Sequence, residues 1–158
     1  MKKFNSFFAV GLLALSFVFS SCEENVLPVD TPAPPITKDV IRVRLNLPES
    51  TSASTGDTYV MAGGFKTNAW TPDKSALEFK KSAGGFWTVD LPLSEFGTDE
   101  VEYKVVRNAK NGADAWKFVE KTAKCEELGA NRKIAKTSAG QLLDITVENF
   151  RNTGTCPN

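Results

Sequence analysis

The sequence contains no histidine, only three cysteines and no excess of charge of either sign. Without histidine, the chain lacks the commonest general base of enzymes and the commonest imidazole ligand of metal ions. Lysine and arginine number 19, as do aspartate and glutamate, so there is no basic excess to drive nucleic-acid binding. No glycine-rich phosphate loop, sustained helical period or internal repeat is visible. The sequence therefore predicts no metal site, no cofactor and no nucleic-acid partner.

The N-terminal segment has the features of an export signal. Two lysines precede a short apolar run, Phe7–Phe19, which is too short to span a bilayer as a mature helix. Two serines then lead into Cys22, and a signal peptide that ends on cysteine resembles the lipobox of bacterial lipoproteins. This resemblance implies that residues 1–21 are removed and that Cys22 is acylated; an ordinary secretory signal is the alternative. It also implies a lipid anchor in the cell envelope. The acidic Glu23 and Glu24 that follow resemble the start of Gram-negative surface lipoproteins, which implies the outer membrane of a Gram-negative bacterium.

A proline-rich stretch separates Cys22 from the rest of the chain. Residues 22–38 carry four prolines and little apolar content, which favours an extended, semi-rigid tether. Residues 39–158 amount to one domain. Cys125 and Cys156 lie in this domain, and an even pair of cysteines in an exported domain predicts a disulfide; two free thiols are the alternative.

The domain has the pattern of short β-strands. Apolar and polar residues alternate most clearly in Val40–Leu47 and Gln141–Val147, and glycine and asparagine clusters separate such runs. Trp87 is in phase with its apolar neighbours and is predicted to lie in the core. About seven or eight such strands predict an all-β fold, an antiparallel, immunoglobulin-like β-sandwich. The predicted strands are Val40–Leu47, Thr58–Ala62, Leu77–Lys80, Phe86–Leu91, Glu102–Asn108, Ala115–Val119, Arg132–Lys136 and Gln141–Val147.

Several short motifs follow one another along the domain. They are Tyr-Val-Met-Ala-Gly-Gly-Phe at 59–65, Asn-Ala-Trp-Thr-Pro at 68–72, Phe-Trp-Thr-Val-Asp-Leu-Pro at 86–92, Glu-Tyr-Lys-Val-Val-Arg at 102–107, Ala-Trp at 115–116 and Asn-Arg at 131–132. In this order they resemble the starch-binding domains of carbohydrate-binding module family 20 and their glycogen-binding relatives. The resemblance covers about residues 40–147.

The resemblance implies an antiparallel β-sandwich with an α-glucan site built from two tryptophans and a lysine. Carried over by motif, the site residues are Trp70, Trp116 and Lys104, with Asn131 as a weaker fourth. An indole can cover the apolar face of a sugar ring while charged or amide groups bond its hydroxyl rim. The stretch 118–130 is longer than in the family, which leaves open whether a loop there alters the site. No second glucan site is predicted, because the family's second site uses tyrosines and both tyrosines here lie in strand patterns.

Three functions are compatible with these features. The first is a non-catalytic surface lipoprotein that binds starch, glycogen or maltooligosaccharide, in a glycan-degrading or uptake complex. The second is a glycosidase, which needs two carboxylates across a cleft; no acidic pair sits in such a motif, so no enzyme is predicted. The third is a structural or protein-interaction lipoprotein with the same sandwich and no sugar site, since fold does not imply function.

Overall fold

The computed structural model describes residues 34–47, 56–82, 84–107, 109–153 and 156. The predicted signal peptide, Cys22 and most of the predicted tether lie outside these residues. The described residues form nine strands: β1 (Val40–Asn46), β2 (Tyr59–Gly63), β3 (Lys80–Lys81), β4 (Trp87–Pro92), β5 (Glu100–Arg107), β6 (Glu120–Lys121), β7 (Arg132–Ala135), β8 (Leu142–Thr146) and β9 (Asn149–Phe150). Their helices are 3-10 turns at Pro72–Lys74, Leu93–Glu95, Ala109–Phe118 and Lys136–Ser138. None of these helices is long and apolar enough to cross a membrane.

The strands form two main sheets and one small ribbon. One sheet has the order β3-β4-β1-β8, the second has the order β2-β5-β7, and β6 pairs with β9. All pairs are antiparallel except β1 and β8, which run parallel. Buried side chains from both main sheets meet in one core, so the sheets pack face to face. The predicted all-β sandwich is confirmed, with one parallel strand pair that the sequence did not indicate.

Alternation in β1 shows why the period-two pattern predicted this strand correctly. Ile41, Val43 and Leu45 are buried in the core, while Arg42 and Arg44 point to the opposite face of the sheet. Both arginines make carboxylate pairs with neighbouring strands, one to β4 and one to β8. The strand thus places apolar side chains between the sheets and lets charged ones bridge strands outside.

The outer face of the β2-β5-β7 sheet also carries an apolar patch. Its buried members come from β2, β5 and the segment after β5: Val60, Ala62, Val106, Ala115 and Val119. The 3-10 helix Ala109–Phe118 contributes to this patch, and Trp116 packs against it. One outer face of the sandwich is therefore covered at this position and presents an indole.

The predicted strand Ala115–Val119 is wrong, because most of it lies in the 3-10 helix Ala109–Phe118. Two residues four apart share a face in a strand as well as in a helix, so the burial of Ala115 and Val119 on the apolar patch gave a misleading alternation. Only Val119 makes a strand-like bridge, to Val106. The short strands β6 and β9 were not predicted.

Trp87 is only partly in the core. Its side chain is half-buried and meets Tyr59 edge-to-face, with ring centroids 5.0 Å apart. Lys81 lies over the other side of the indole, 5.8 Å from the ring centroid. The indole packs against the core without being enclosed by it, because β4 begins at this residue.

Candidate functional site

The structure brings the two predicted binding tryptophans together. The ring centroids of Trp70 and Trp116 are 6.3 Å apart, and the ring planes are inclined by 31°. Trp70 is 36% exposed, and Trp116 is half-buried. The indoles thus form one tilted aromatic surface, hereafter the tryptophan pair, beside the β2-β5-β7 sheet.

Trp70 is held in an unusual backbone conformation. Its φ is +66° and that of Ala69 is +37°, a left-handed region that costs a non-glycine residue about 1–2 kcal/mol. Two backbone hydrogen bonds hold this turn: the Trp70 N–H donates to the Gly63 carbonyl at 2.7 Å, and the Thr71 N–H donates to the Asn68 carbonyl at 2.6 Å. Such strain persists only where surrounding contacts determine the conformation, and it is concentrated at functional sites. The loop therefore fixes the direction of the indole.

Asn68 anchors this loop from beneath. Its side chain is only 2% exposed, and its amide donates to the Met61 carbonyl at 2.9 Å and to the Ser75 hydroxyl at 3.0 Å. Its side-chain oxygen accepts the Gly63 N–H at 3.3 Å. From the sequence, Asn68 was only part of the Asn-Ala-Trp-Thr-Pro motif at 68–72, and this buried role was missed. The available signal was an asparagine a few residues after Gly63-Gly64, since a short amide side chain can bond nearby backbone groups.

Trp116, the second member of the pair, comes from a different segment of the chain than Trp70. It lies near the end of the 3-10 helix Ala109–Phe118 and packs on the apolar patch of the β2-β5-β7 sheet. The next residue, Lys117, pairs with Asp114 at 2.9 Å, and both side chains are about 60% exposed. An ion pair this exposed contributes little to stability. Packing against the sheet, rather than this ion pair, positions the indole.

Lys104 lies on the same outer face of the sheet. It pairs in register with Ala62, a member of the apolar patch on which Trp116 packs. Its side chain is half-buried and makes no ion pair with any other described residue. The ammonium group is therefore available to a ligand on this face.

Asn131 directly precedes β7, which pairs with β5 up to Tyr103–Arg132. Its side-chain amide donates to the Glu102 carboxylate at 3.0 Å. The sequence did not identify Glu102, whose carboxylate would compete with a sugar hydroxyl for this amide.

Glu120 supports the edge of the same sheet from inside. Its side chain is fully buried; it accepts the Val105 N–H at 2.8 Å and pairs with Arg132 at 2.8 Å. This carboxylate takes the place of the strand partner that β5 lacks beyond the end of β7. Burial raises the pKa of Glu120, and the guanidinium of Arg132 opposes that shift. Burial also raises the pKa of Tyr103 to about 12, so this phenol stays protonated near neutral pH.

A cleft separate from the tryptophan pair lies in the β3-β4-β1-β8 sheet. It has a volume of about 300 Å³ and lies where β1 ends and β4 begins. Its lining residues are Leu45, Asn46, Leu47, Lys81, Gly85, Phe86 and Trp87. Phe86 is 52% exposed there, with the Arg44 guanidinium 5.2 Å from its ring centroid. This cleft shares no residue with the tryptophan pair, so its residues provide internal controls for binding experiments.

The structure contains the predicted disulfide. Cys125 and Cys156 are bonded, with their Cα atoms 5.4 Å apart and a sequence separation of 31. Among the described residues, no group of three or more histidine, cysteine, aspartate or glutamate side chains could hold a metal ion. Around the tryptophan pair, the described side chains offer stacking on indoles and hydrogen bonding from the Lys104 ammonium.

No family model and no curated protein matches this chain. Among solved structures, it is similar to a glycoside hydrolase family 15 glucoamylase from Hypocrea jecorina, with 21% identity, a TM-score of 0.41 and coverage of 75% of this chain. This chain spans only 19% of that glucoamylase. It is also similar to the family 20 CBM of the maltotetraose-forming amylase from Pseudomonas saccharophila STB07, with 18% identity and a TM-score of 0.43. That similarity covers 67% of this chain and 99% of the module. Both TM-scores are below 0.5, so the ligand has to be argued from the side chains of the site itself.

Proposed function

We propose that this domain is a non-catalytic module that binds α-glucan, such as starch, glycogen or maltooligosaccharide, through Trp70, Trp116 and Lys104. The observation that carries the proposal is the tryptophan pair, with centroids 6.3 Å apart and one indole held by a left-handed turn. A core packing role would not require a strained backbone at a residue that is 36% exposed. Pre-organised aromatic surface is what binding a sugar ring needs.

The inclination of the two rings favours an α-linked chain. Successive sugars in an α-1,4-linked glucan turn relative to one another and give a curved chain, whereas a β-1,4-linked chain is a flat ribbon. Two indoles inclined by 31° present faces that suit inclined sugar rings. Lys104, on β5, would donate a hydrogen bond to a hydroxyl on the rim of one of the sugar rings.

A single site of this kind binds weakly. About 50 Å² of apolar sugar face covered by each indole, at about 25 cal/mol per Å², gives roughly 1.3 kcal/mol per indole. A lysine–hydroxyl bond adds about 1 kcal/mol, and association costs several kcal/mol. A dissociation constant between about 10 µM and 1 mM follows. Many copies on one membrane facing a polymer would gain by multivalency.

We further propose that the module is a surface lipoprotein anchored through Cys22. The support is the apolar run ending at this cysteine, followed by the proline-rich tether. Attachment through several acyl chains would give durable membrane association. A binding module on the outer membrane would serve a glycan-degrading or uptake complex by holding polymer near it.

Isothermal titration with maltoheptaose tests the sugar site. Trp70→Ala and Trp116→Ala should each weaken binding about tenfold, because each removes one stacking face worth about 1.3 kcal/mol. Phe86→Ala is the matched control: it removes an exposed aromatic ring from the separate cleft and should leave the affinity unchanged. Soluble β-glucan and xylan serve as ligand controls.

The outcomes separate the competing explanations. No heat with any glycan at millimolar concentration would favour the protein-interaction function. Binding of only β-glucan or xylan would keep the module and change its ligand. Loss of binding in Phe86→Ala with Trp70→Ala unaffected would move the site to the separate cleft.

A further inference from the structure

The last described segment of the chain lies against the segment that carries Trp116. We call residues 149–153 together with Cys156 the C-terminal strap. Its first residues form β9, which pairs with β6, and the Arg151 N–H donates to the Val119 carbonyl at 2.9 Å. The disulfide from Cys156 to Cys125 closes the strap onto the loop after β6. The strap is therefore attached on both sides of its contact with the chain that follows Trp116.

Asn152 makes the contact nearest to the tryptophan pair. Its side-chain amide donates to the carbonyl of Lys117 at 2.9 Å, one residue after Trp116. That carbonyl lies at the end of the 3-10 helix Ala109–Phe118, where backbone carbonyls lack partners within the helix. Asn152 has a φ of +57°, a conformation that asparagine tolerates better than most residues. The strap thus caps the helix that carries the second indole.

We propose that Asn152 is a positioning residue for Trp116, and that the disulfide keeps Asn152 in place. The proposal rests on the function proposed above, because it concerns the same aromatic surface. Packing on the apolar patch fixes one side of the Trp116 indole. The backbone after it is fixed by the hydrogen bond from Asn152 to the Lys117 carbonyl. Without the cap, the last turn of the helix is free to fray, and the inclination of the two indoles is no longer set.

Asn152→Gly is the sharpest test, because glycine accepts the positive φ while removing the amide donor. We expect maltoheptaose to bind about three- to tenfold more weakly, as for loss of one hydrogen bond that orders the site. Asn149→Ser is the matched control in the same strap. Its amide donates to the Thr122 and Ala123 carbonyls at 3.3 Å. It should lower the melting temperature without changing the affinity of the folded protein.

A direct readout of Trp116 separates positioning from stability. With 5-fluorotryptophan incorporated, the ¹⁹F resonance of Trp116 should shift or broaden in Asn152→Gly while that of Trp87 stays unchanged. An unchanged affinity together with an unchanged Trp116 resonance would overturn the proposal. Equal loss of affinity in Asn149→Ser would also overturn it, because affinity would then follow stability. If the wild-type protein binds no maltooligosaccharide, the proposed function fails, while the ¹⁹F arm still decides the position of the indole.

The disulfide is tested by a double-mutant cycle. Changing Cys125 and Cys156 to serine should weaken binding as much as Asn152→Gly does, since both changes release the cap. Combining all three changes should add nothing further, because residues that act as one unit are not additive. Additive losses would show that the disulfide and Asn152 act independently and would overturn the coupling between them.

Discussion

Gly63 lies where β2 approaches β5 too closely for any side chain. A Cβ atom built on Gly63 would lie 2.3 Å from the Glu102 carbonyl oxygen and 2.8 Å from the Tyr103 Cα. Both neighbours are backbone atoms, so the contact cannot be relieved by a side-chain rotation. Gly63→Ala must therefore separate the two strands, which lengthens the hydrogen bond from the Gly64 N–H to Glu102, now 2.9 Å. Overpacking of about 1–3 kcal/mol and a hydrogen bond of about 1 kcal/mol together predict a loss of about 3 kcal/mol.

The neighbouring glycine supplies the matched control. A Cβ on Gly64 would lie 3.6 Å from a Val101 methyl and 4.0 Å from the Trp70 indole nitrogen, which are ordinary contacts. Gly64→Ala carries the same change in unfolded-state entropy and should alter the free energy of unfolding by no more than about 0.5 kcal/mol. Urea denaturation of both variants measures the difference, and the melting temperature of Gly63→Ala should fall by roughly 10–20 °C. Equal stability of the two variants would refute the close approach of β2 and β5.

Two further predictions concern the buried carboxylate and the anchor. Burial raises the pKa of Glu120, so the folded state binds the carboxyl proton more tightly than the unfolded state does. The stabilisation that this protonation gives is complete below the ordinary pKa of 4.5 and is lost as pH rises through the folded pKa. Glu120→Gln should flatten that decline in urea denaturation above about pH 4.5, in a chain with no histidine to titrate; parallel wild-type and variant curves would contradict the assignment. Cys22→Ala should move the protein from the membrane fraction to the soluble fraction of fractionated cells, and variant protein that stays with membranes would exclude the lipid anchor.

The fold could be predicted where one face of a strand is buried. In β1 and β8 the alternation is regular, because one face meets the core and the other meets water or a charged partner. The pattern misled around Trp116, where the outer face of the sheet is covered by its own chain. A helical turn held by Asn152 from the far end of the sequence leaves no periodic signal near Trp116 itself.

The candidate site was predicted from the order of motifs and not from periodicity, and its conformational details follow from contacts that no single motif contains. The left-handed turn at Trp70 depends on the Gly63 carbonyl and on buried Asn68, which the sequence shows only as turn residues.

Asn131 shows why sequence separation was a poor guide to this site. The long stretch between Trp116 and Asn131 left open whether a loop there alters the site. That stretch instead contributes β6 and the disulfide-closed loop, after which β7 pairs with β5 at Tyr103–Arg132. Strand pairing then sets the position of Asn131 directly before β7, where its amide donates to the Glu102 carboxylate, whatever the length of the loop before it. A shortened loop that keeps this strand pairing should therefore keep the Asn131–Glu102 contact, whereas a one-residue slip of β7 would turn the amide to the opposite face.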